Sequence, residues 1–300
     1  MRSNSNETFR RLNGWTARTT AVFLLTVYPS SRLTAQSLDH LAVRLAGMTA
    51  VTGLEQAMAD TLLTLLPGSV RDRAGNVTLT LGTGSPKRLV ACPLDEVGYV
   101  VGNFTTDGFL LLRRVGARVS YALFDQQLEG HRVTVFGTRG PVPGVVGVRS
   151  THLTRGRPSG ADAVFTVDNA YVDVGATSEA EARALGIAVL APVALTKRPH
   201  LYGDRMLAAP AAGRRATCAA LALAVRAKPR VKGTVVVAFT VQSNYAQNAG
   251  LGTVKALLGP FEETRTVALS TRFPDTAVET VSLQEAETLV RQLVAWMEGR

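Results

Sequence analysis

The sequence predicts a mixed-sheet α/β domain interrupted by a β-barrel-like insertion, and three observations carry that prediction. Leu89-Val-Ala-Cys-Pro-Leu-Asp-Glu-Val-Gly98 is an apolar run closed by two adjacent acids and a glycine. Such a run reads as a buried strand whose C-terminal end delivers polar groups to a cleft, the usual site position in open α/β sheets. After it come short strands separated by turns, with no helical spacing between them, which is an antiparallel pattern and not βαβ. Near residue 195 the α/β pattern returns. The domain is therefore split into 37–98 and 195–300, with a β-rich insertion at 99–194 and a distinct segment at 1–36.

Taken in order, residues 1–36 begin polar and basic with Arg2, Arg10, Arg11 and Arg18. An apolar run from Thr20 to Tyr28 and then small residues up to Ala35 follow. That is the order of a secretory signal, although Leu33 only half meets the small-residue rule for a cut after Ala35. The run is well short of the roughly 20 residues that cross a bilayer as a helix. Left in place, it would be an apolar arm on a basic base, suited to a membrane surface or a partner's groove.

From Ser37, read as the cap, Leu38, Leu41, Ala42, Leu45 and Ala46 share a helical face. Thr52-Gly-Leu-Glu55 opens a second helix through Leu62 and Leu65, stopped by Pro67-Gly68. Asp72-Arg-Ala-Gly-Asn76 is a turn that feeds a strand from Val77 to Leu81. Within the insertion, strands are expected at Tyr99–Phe104, Phe109–Arg113, Arg132–Phe136 and Val142–Val148. Asp173, before Val-Gly, reads as strand-end turn chemistry. Past the insertion, Ala216–Val225 is helix-compatible, Gly233–Gln242 is an intense β run, and Leu283–Met297 is an amphipathic closing helix.

Composition supports a globular chain: 46% of the 300 residues are hydrophobic, enough for a real core. The net charge of +10 favours anionic lipid or an acidic protein as partner. Without an RNA-binding aromatic signature or a dense basic helix, nucleic acid is set aside. Cys92 and Cys218 sit in apolar surroundings and read as small buried hydrophobes; the count alone does not pair them. The four histidines, His40, His131, His152 and His200, show no ligand spacing, so a local zinc motif is missing.

Gly53-Leu-Glu55, Asp72-x-x-Gly-Asn76 and Asp95-Glu-Val-Gly98, in this order and spacing, resemble the tetrahedral aminopeptidases, the glutamyl-aminopeptidase-like family M42 of two-metal exopeptidases. Later landmarks run from Gly144 through His152-Leu153, with His152 read as structural, and Tyr171-Val-Asp-Val-Gly175 to Gly186. The resemblance implies an aminopeptidase-like α/β domain, here shortened, and an inserted β domain with assembly and lid functions. It also implies five ligands around two metals and a carboxylate base for the bridging water. The corresponding positions are substituted in this chain. Pro93 stands where the family has a histidine ligand, Gly213 stands at the bridging aspartate with Arg214 beside it, and Ser243 and Asn244 replace paired glutamates. Asp275 takes the last histidine's place. Most of the family segment between the paired-glutamate strand and that terminal word has no counterpart.

The expectation is thus a catalytically inactive aminopeptidase homologue, a pseudoenzyme acting as a structural or binding subunit of a larger, membrane-associated assembly. It carries no metal and no catalytic residue. One alternative is an exported metallo-aminopeptidase or related hydrolase with an atypical zinc or cobalt site. Another is a peptide-binding module whose remnant cleft uses Asp95, Glu96, Arg214, Ser243 and Asn244. Asp95 and Glu96, with Glu279, read primarily as support for strand ends and turns, and Arg214 as a solvated charge at a helix start. No Gly-x-Ser-x-Gly elbow accompanies Ser243 to make it a nucleophile. Expected partners are an acidic or membrane-embedded protein and a second copy through the β insertion. The expected compartment is extracytoplasmic (periplasmic), with the cytoplasm as the alternative.

Overall fold

The structure is a computed structural model that describes residues 30–116, 124–148, 165–245 and 248–300. The basic, apolar start of the arm and His152 lie outside the described residues. In chain order, helices α1 (Ser30–Ala46) and α2 (Gln56–Leu65) precede strands β1 (Val70–Arg71), β2 (Val77–Gly82) and β3 (Lys87–Pro93). Next come β4 (Gly98–Phe104), β5 (Leu110–Val115), β6 (Arg132–Gly137), β7 (Gly140–Val146), β8 (Tyr171–Asp173), α3 (Glu179–Ala184) and β9 (Pro192–Leu195). The chain then forms β10 (His200–Tyr202), β11 (Met206–Ala208), α4 (Ala212–Arg226), β12 (Thr234–Thr240) and α5 (Ala249–Leu258). It finishes with β13 (Glu263–Thr266), β14 (Thr280–Ser282) and α6 (Leu283–Met297).

The main sheet has the order β1-β2-β12-β3-β13. It is mixed: β2 and β12 are antiparallel, while β12, β3 and β13 run parallel. The middles of β3 (Leu89–Cys92) and β12 (Val235–Phe239) are apolar throughout because both faces are covered. Val90, Cys92, Val235, Val237 and Phe239 face a layer built from α1, α2, α4 and α6, whereas Leu89, Ala91, Val236 and Ala238 face α5 through Val254. The alanine-rich face of α4 lets it lie in the middle of the helical layer, against both α1 and α6. Ser282 caps α6 by accepting from Glu285 N at 3.3 Å. Arg88 closes the other end, donating to the Trp296 and Met297 carbonyls with its guanidinium 4.6 Å from the Trp296 ring.

Between β3 and β10 the chain closes a barrel in the order β4-β5-β8-β7-β6-β9. Alternate residues, among them Tyr99, Val101, Leu110, Leu112, Val133, Val135 and Val193, fill its interior. A bulge at Val101–Asn103 bends β4 into the closure. Asp173 accepts from Gly175 N at 2.7 Å, the turn role expected of it. A small sheet of β10, β11 and β14 joins the barrel exit to the last helix.

Three local expectations are corrected. Ser37 lies inside α1 and does not cap it; the nearest helix breaker upstream in the sequence is Pro29. Cys92 and Cys218 are joined as a disulfide between β3 and α4, 126 residues apart in sequence. The stretch after β12 also holds more than was expected, since α5 and the polar edge strand β13 occupy it.

The turn word Asp72 to Asn76 fastens the sheet from below. The Asp72 carboxylate accepts from Gly75 N and Asn76 N, and from Asn76 Nδ2 at 2.7 Å. Fully buried Asn76 in turn accepts from Val241 N at 3.0 Å and donates to Gly250 O at 3.1 Å. Gly250 sits so close that a Cβ there would collide with the Val241 carbonyl oxygen and meet Asn76 Oδ1. Gly250→Ala is expected to destabilise the chain by about 1–3 kcal/mol, read from the urea midpoint. A midpoint equal to wild type would show that α5 is not held at this distance.

Candidate functional site

Everything that approaches the C-terminal end of β3 converges on Asp95. Its carboxylate is fully buried and accepts from Thr52 Oγ1 (2.7 Å), Ser243 N (2.9 Å), Asn244 N (3.0 Å) and Asn244 Nδ2 (2.8 Å). Thr52 comes from the α1–α2 loop; Ser243 and Asn244 follow β12. Glu55 reinforces the same junction by accepting from Gly53 N and from Gln242 N at 2.8 Å. Arg214, in the first turn of α4, donates through Nη1 to Asp95 O at 2.7 Å and to Ser243 Oγ at 2.8 Å. It is therefore tethered, not the solvated helix-start charge expected. Burial pushes the Asp95 carboxyl up, but hydrogen bonds from Ser243 and Thr52 and the Arg214 charge outweigh it, and the net shift is downward.

Glu96 gathers a second set. Its Oε1 accepts from Ala50 N at 3.0 Å, while Oε2 is bound by Lys197 Nζ and lies 3.2 Å from Arg215 Nη2. Arg215 has no exposed surface, and its Nη1 donates to Leu94 O. The Lys197 side chain is 6% exposed and reaches in from the segment after β9. Burial would raise the Glu96 carboxyl, yet the two cations win and hold it low. For Lys197 and Arg215 burial dominates and moves both below their ordinary values despite Glu96. Neither cation was singled out in the sequence. The only signal was a charge set against an apolar segment, Lys197 after β9 and Arg215 before Ala216-Thr-Cys-Ala-Ala.

Between the barrel and α4 runs a small open cleft with a cavity volume of about 50 Å³, with Tyr99, Phe124 and Leu195 on its apolar wall and Lys197, Arg214 and Glu279 on its polar one. Glu279 accepts from Gly213 N at 2.7 Å and Asp275 N at 3.1 Å, capping α4 from outside. Burial, the largest influence, raises its carboxyl. Asp275 stands on the cleft rim in the left-handed region (φ 58). Asp95, Glu96, Arg214, Ser243 and Asn244 thus come together as one cluster, with Asp275 at its rim. Pro93 lies beside the disulfide.

A two-lobed molecule of this kind, a helix-covered mixed sheet carrying a six-stranded barrel, has the fold of solved aminopeptidases. Aminopeptidase APDkam598 from Desulfurococcus kamchatkensis superposes with a TM-score of 0.72 at 16% identity, covering 89% of this chain and 96% of its own. The Pyrococcus horikoshii TET1 peptidase gives 0.69 at 18%, covering 88% and 99%. Residues 75–248 match the family model of the M42 glutamyl aminopeptidases, and the chain belongs to that family. SgcX of Escherichia coli, an aminopeptidase by name, is 34% identical over 179 residues, which are 57% of this chain and 46% of that protein. The chain spans about half the length of the curated relatives it matches.

The family implies a pair of metal ions, and the donor set here does not fit them. Pro93 has no donor atom. At Gly213 even a Cβ would collide with Thr271 and lie 2.9 Å from Glu279 Oε1, so the position has no room for a carboxylate. Ser243 Oγ and the Asn244 amide are spent on Arg214 and Asp95. Among the described residues no three His, Cys, Asp or Glu side chains are grouped so as to hold a metal ion. Fixed side-chain cations stand against the two acids that remain, which opposes a divalent ion electrostatically.

The carboxyls of Asp95 and Glu96 are lowered by folding, so their stabilising contribution is complete above their unfolded values and is lost as pH falls through the folded ones. Glu55 and Glu279, raised by burial, work in the opposite sense and offset part of it. Stability from denaturant titrations is expected to fall below about pH 4. In Arg214→Ala, which lacks one of the interactions holding Asp95 ionised, the onset moves to higher pH. An onset unmoved by that substitution would remove Arg214 from the cluster's electrostatics.

Proposed function

We propose that this chain is a non-catalytic member of the M42 family, a binding or structural subunit built on the aminopeptidase scaffold. The observation that carries the reading is the state of the positions where the family's chemistry implies ligands and a base. Ser243 and Asn244 present backbone N–H groups and an amide to Asp95, and Arg214 is locked across them. A general base needs an acceptor with a pKa near the working pH and access to water. Asp95 and Glu96 are buried, and each carboxylate is held below its ordinary value by the hydrogen bonds and cations around it.

Self-association is the assembly we favour. The Pyrococcus horikoshii TET1 peptidase, which shares this fold, is described as assembling into a tetrahedron or a large octahedral shell. The barrel is retained here with a complete interior, so loss of the metal centre leaves an assembly module of that kind intact. For location we favour an oxidising, extracytoplasmic compartment. Support comes from the basic, apolar and small-residue order of residues 1–36 and from the Cys92–Cys218 disulfide, a bond that persists in such compartments. Among the described residues no helix is long and apolar enough to cross a membrane. An acidic or membrane-embedded protein partner, suggested by the charge of +10, belongs to the same proposal.

Elemental mass spectrometry on chain purified without chelator is expected to find metal far below one ion per molecule, and no release of N-terminal residues from peptides with added zinc or cobalt. About two ions per chain with chelator-sensitive peptidase activity would overturn the non-catalytic reading. Thiol titration of the denatured, unreduced protein checks the compartment: no reactive thiol is expected, and two per chain would count against export.

A further inference from the structure

The main sheet ends at β13, and among the described residues no strand pairs with its outer edge. β13 reads Glu263-Thr-Arg-Thr266, and Thr264, Arg265 and Thr266 are exposed. An edge strand offers a row of unpaired backbone N–H and C=O groups to any extended chain, and proteins usually guard such an edge with charge. Here the guard carries both signs. Glu263 and Arg265 share one face, where Trp296 Nε1 donates to both oxygens of the Glu263 carboxylate at 3.1 Å and the Arg265 guanidinium lies 5.1 Å from the Trp296 ring. Arg265 Nε also donates to Glu263 Oε1 at 2.5 Å. The two charges are thus held side by side against α6, with 53% of the Arg265 side chain and 39% of the Glu263 side chain exposed.

We propose that β13 is the pairing edge of a symmetric dimer, in which a second copy of this chain adds its own β13 antiparallel and the sheet runs on across both copies. A two-fold axis perpendicular to the sheet sets the two strands antiparallel and keeps both helical layers on one side. Residues directly opposite each other in such a pair share a face, so the axis passes through a residue position, and three positions span the charged pair. With the axis at Glu263 the two glutamates oppose each other, and at Arg265 the two arginines do. At Thr264 each Glu263 lies opposite the other copy's Arg265, twice over, and the threonines pair at the centre. Like charges directly opposite are unfavourable and unlike charges favourable, so the charge order selects one register of the three. A strand without an acid and a base at matching spacing leaves these charges unmatched, and the edge therefore favours its own copy over other extended chains. This interface lies on the α/β domain, apart from the barrel, and does not depend on the non-catalytic reading.

Thr264→Cys sets two thiols at the axis, within the separation that a disulfide bridges. Cys92 and Cys218 are bonded to each other and offer no competing thiol. Mild oxidation of the full chain carrying Thr264→Cys is expected to give a covalent dimer on non-reducing gels, several-fold more than Thr266→Cys, whose two copies stand on the order of 13 Å apart along the strands. Glu263→Arg and Arg265→Glu each put like charges opposite, and each is expected to weaken dimerisation about tenfold or more by sedimentation. Mixed one to one, the two variants meet with every opposed pair again of unlike sign, and a heterodimer of near wild-type strength is expected. If either charge variant fails to fold, the cross-linking ratio alone decides. Cross-linking no greater at Thr264→Cys than at Thr266→Cys, or a mixture that associates no more tightly than its components, overturns the proposal. Self-association unchanged in both single variants would put the contact elsewhere, such as the barrel, and a wild-type chain that stays monomeric at every concentration would leave the edge to a strand of another protein; either result also overturns it.

Discussion

The structure depends on a buried carboxylate. Asp95 has no exposed surface and takes hydrogen bonds from a loop between two helices and from the end of the neighbouring parallel strand, with a guanidinium across its backbone. An ion in that position is tolerable only because several donors bond it directly. Replacing the acid or any donor would leave a polar group stranded in a low-dielectric interior. That requirement fixes where α1 ends and α2 begins, how β12 turns at its end, and where the first turn of α4 stands. Glu96, one residue on, extends the same logic into the barrel's two links.

Much of this was legible in the sequence because it is local. β3 and β12 announce themselves as unbroken apolar runs, since both of their faces are covered. The Asp72 to Asn76 word specifies a turn by its own chemistry, and the acids after Pro93 take hydrogen bonds from the neighbouring loops. Family words then placed the substituted positions Pro93, Gly213, Ser243, Asn244 and Asp275. Other features were illegible because their partners lie far off in the chain. Lys197 and Arg215 look like ordinary surface charges until folding brings them to Glu96, which is 101 residues from Lys197. Cys92 and Cys218 face the same difficulty across 126 residues. α5 and β13 were missed for a different reason: a glycine-bearing helix and a polar edge strand carry weak periodicity.

The substitutions form one consistent set. Gly213 leaves room for Glu279 to cap α4, and Arg214 reaches the residues that replaced the glutamates. Asp95 and Glu96 each take several hydrogen bonds within this set. The unpartnered nitrogens at this end of the sheet are on Arg215 itself, and one of them still lies 3.2 Å from Glu96.

The bond between Cys92 and Cys218 joins the last turn of β3 to α4, and every strand of the barrel lies between these two residues in the chain. The barrel is thus contained in a covalent loop. A protease that nicks any one of its connections, including those outside the described residues, would produce two polypeptides that still migrate together until a reductant is added. The barrel is thus the part of the molecule that can be cut without being shed.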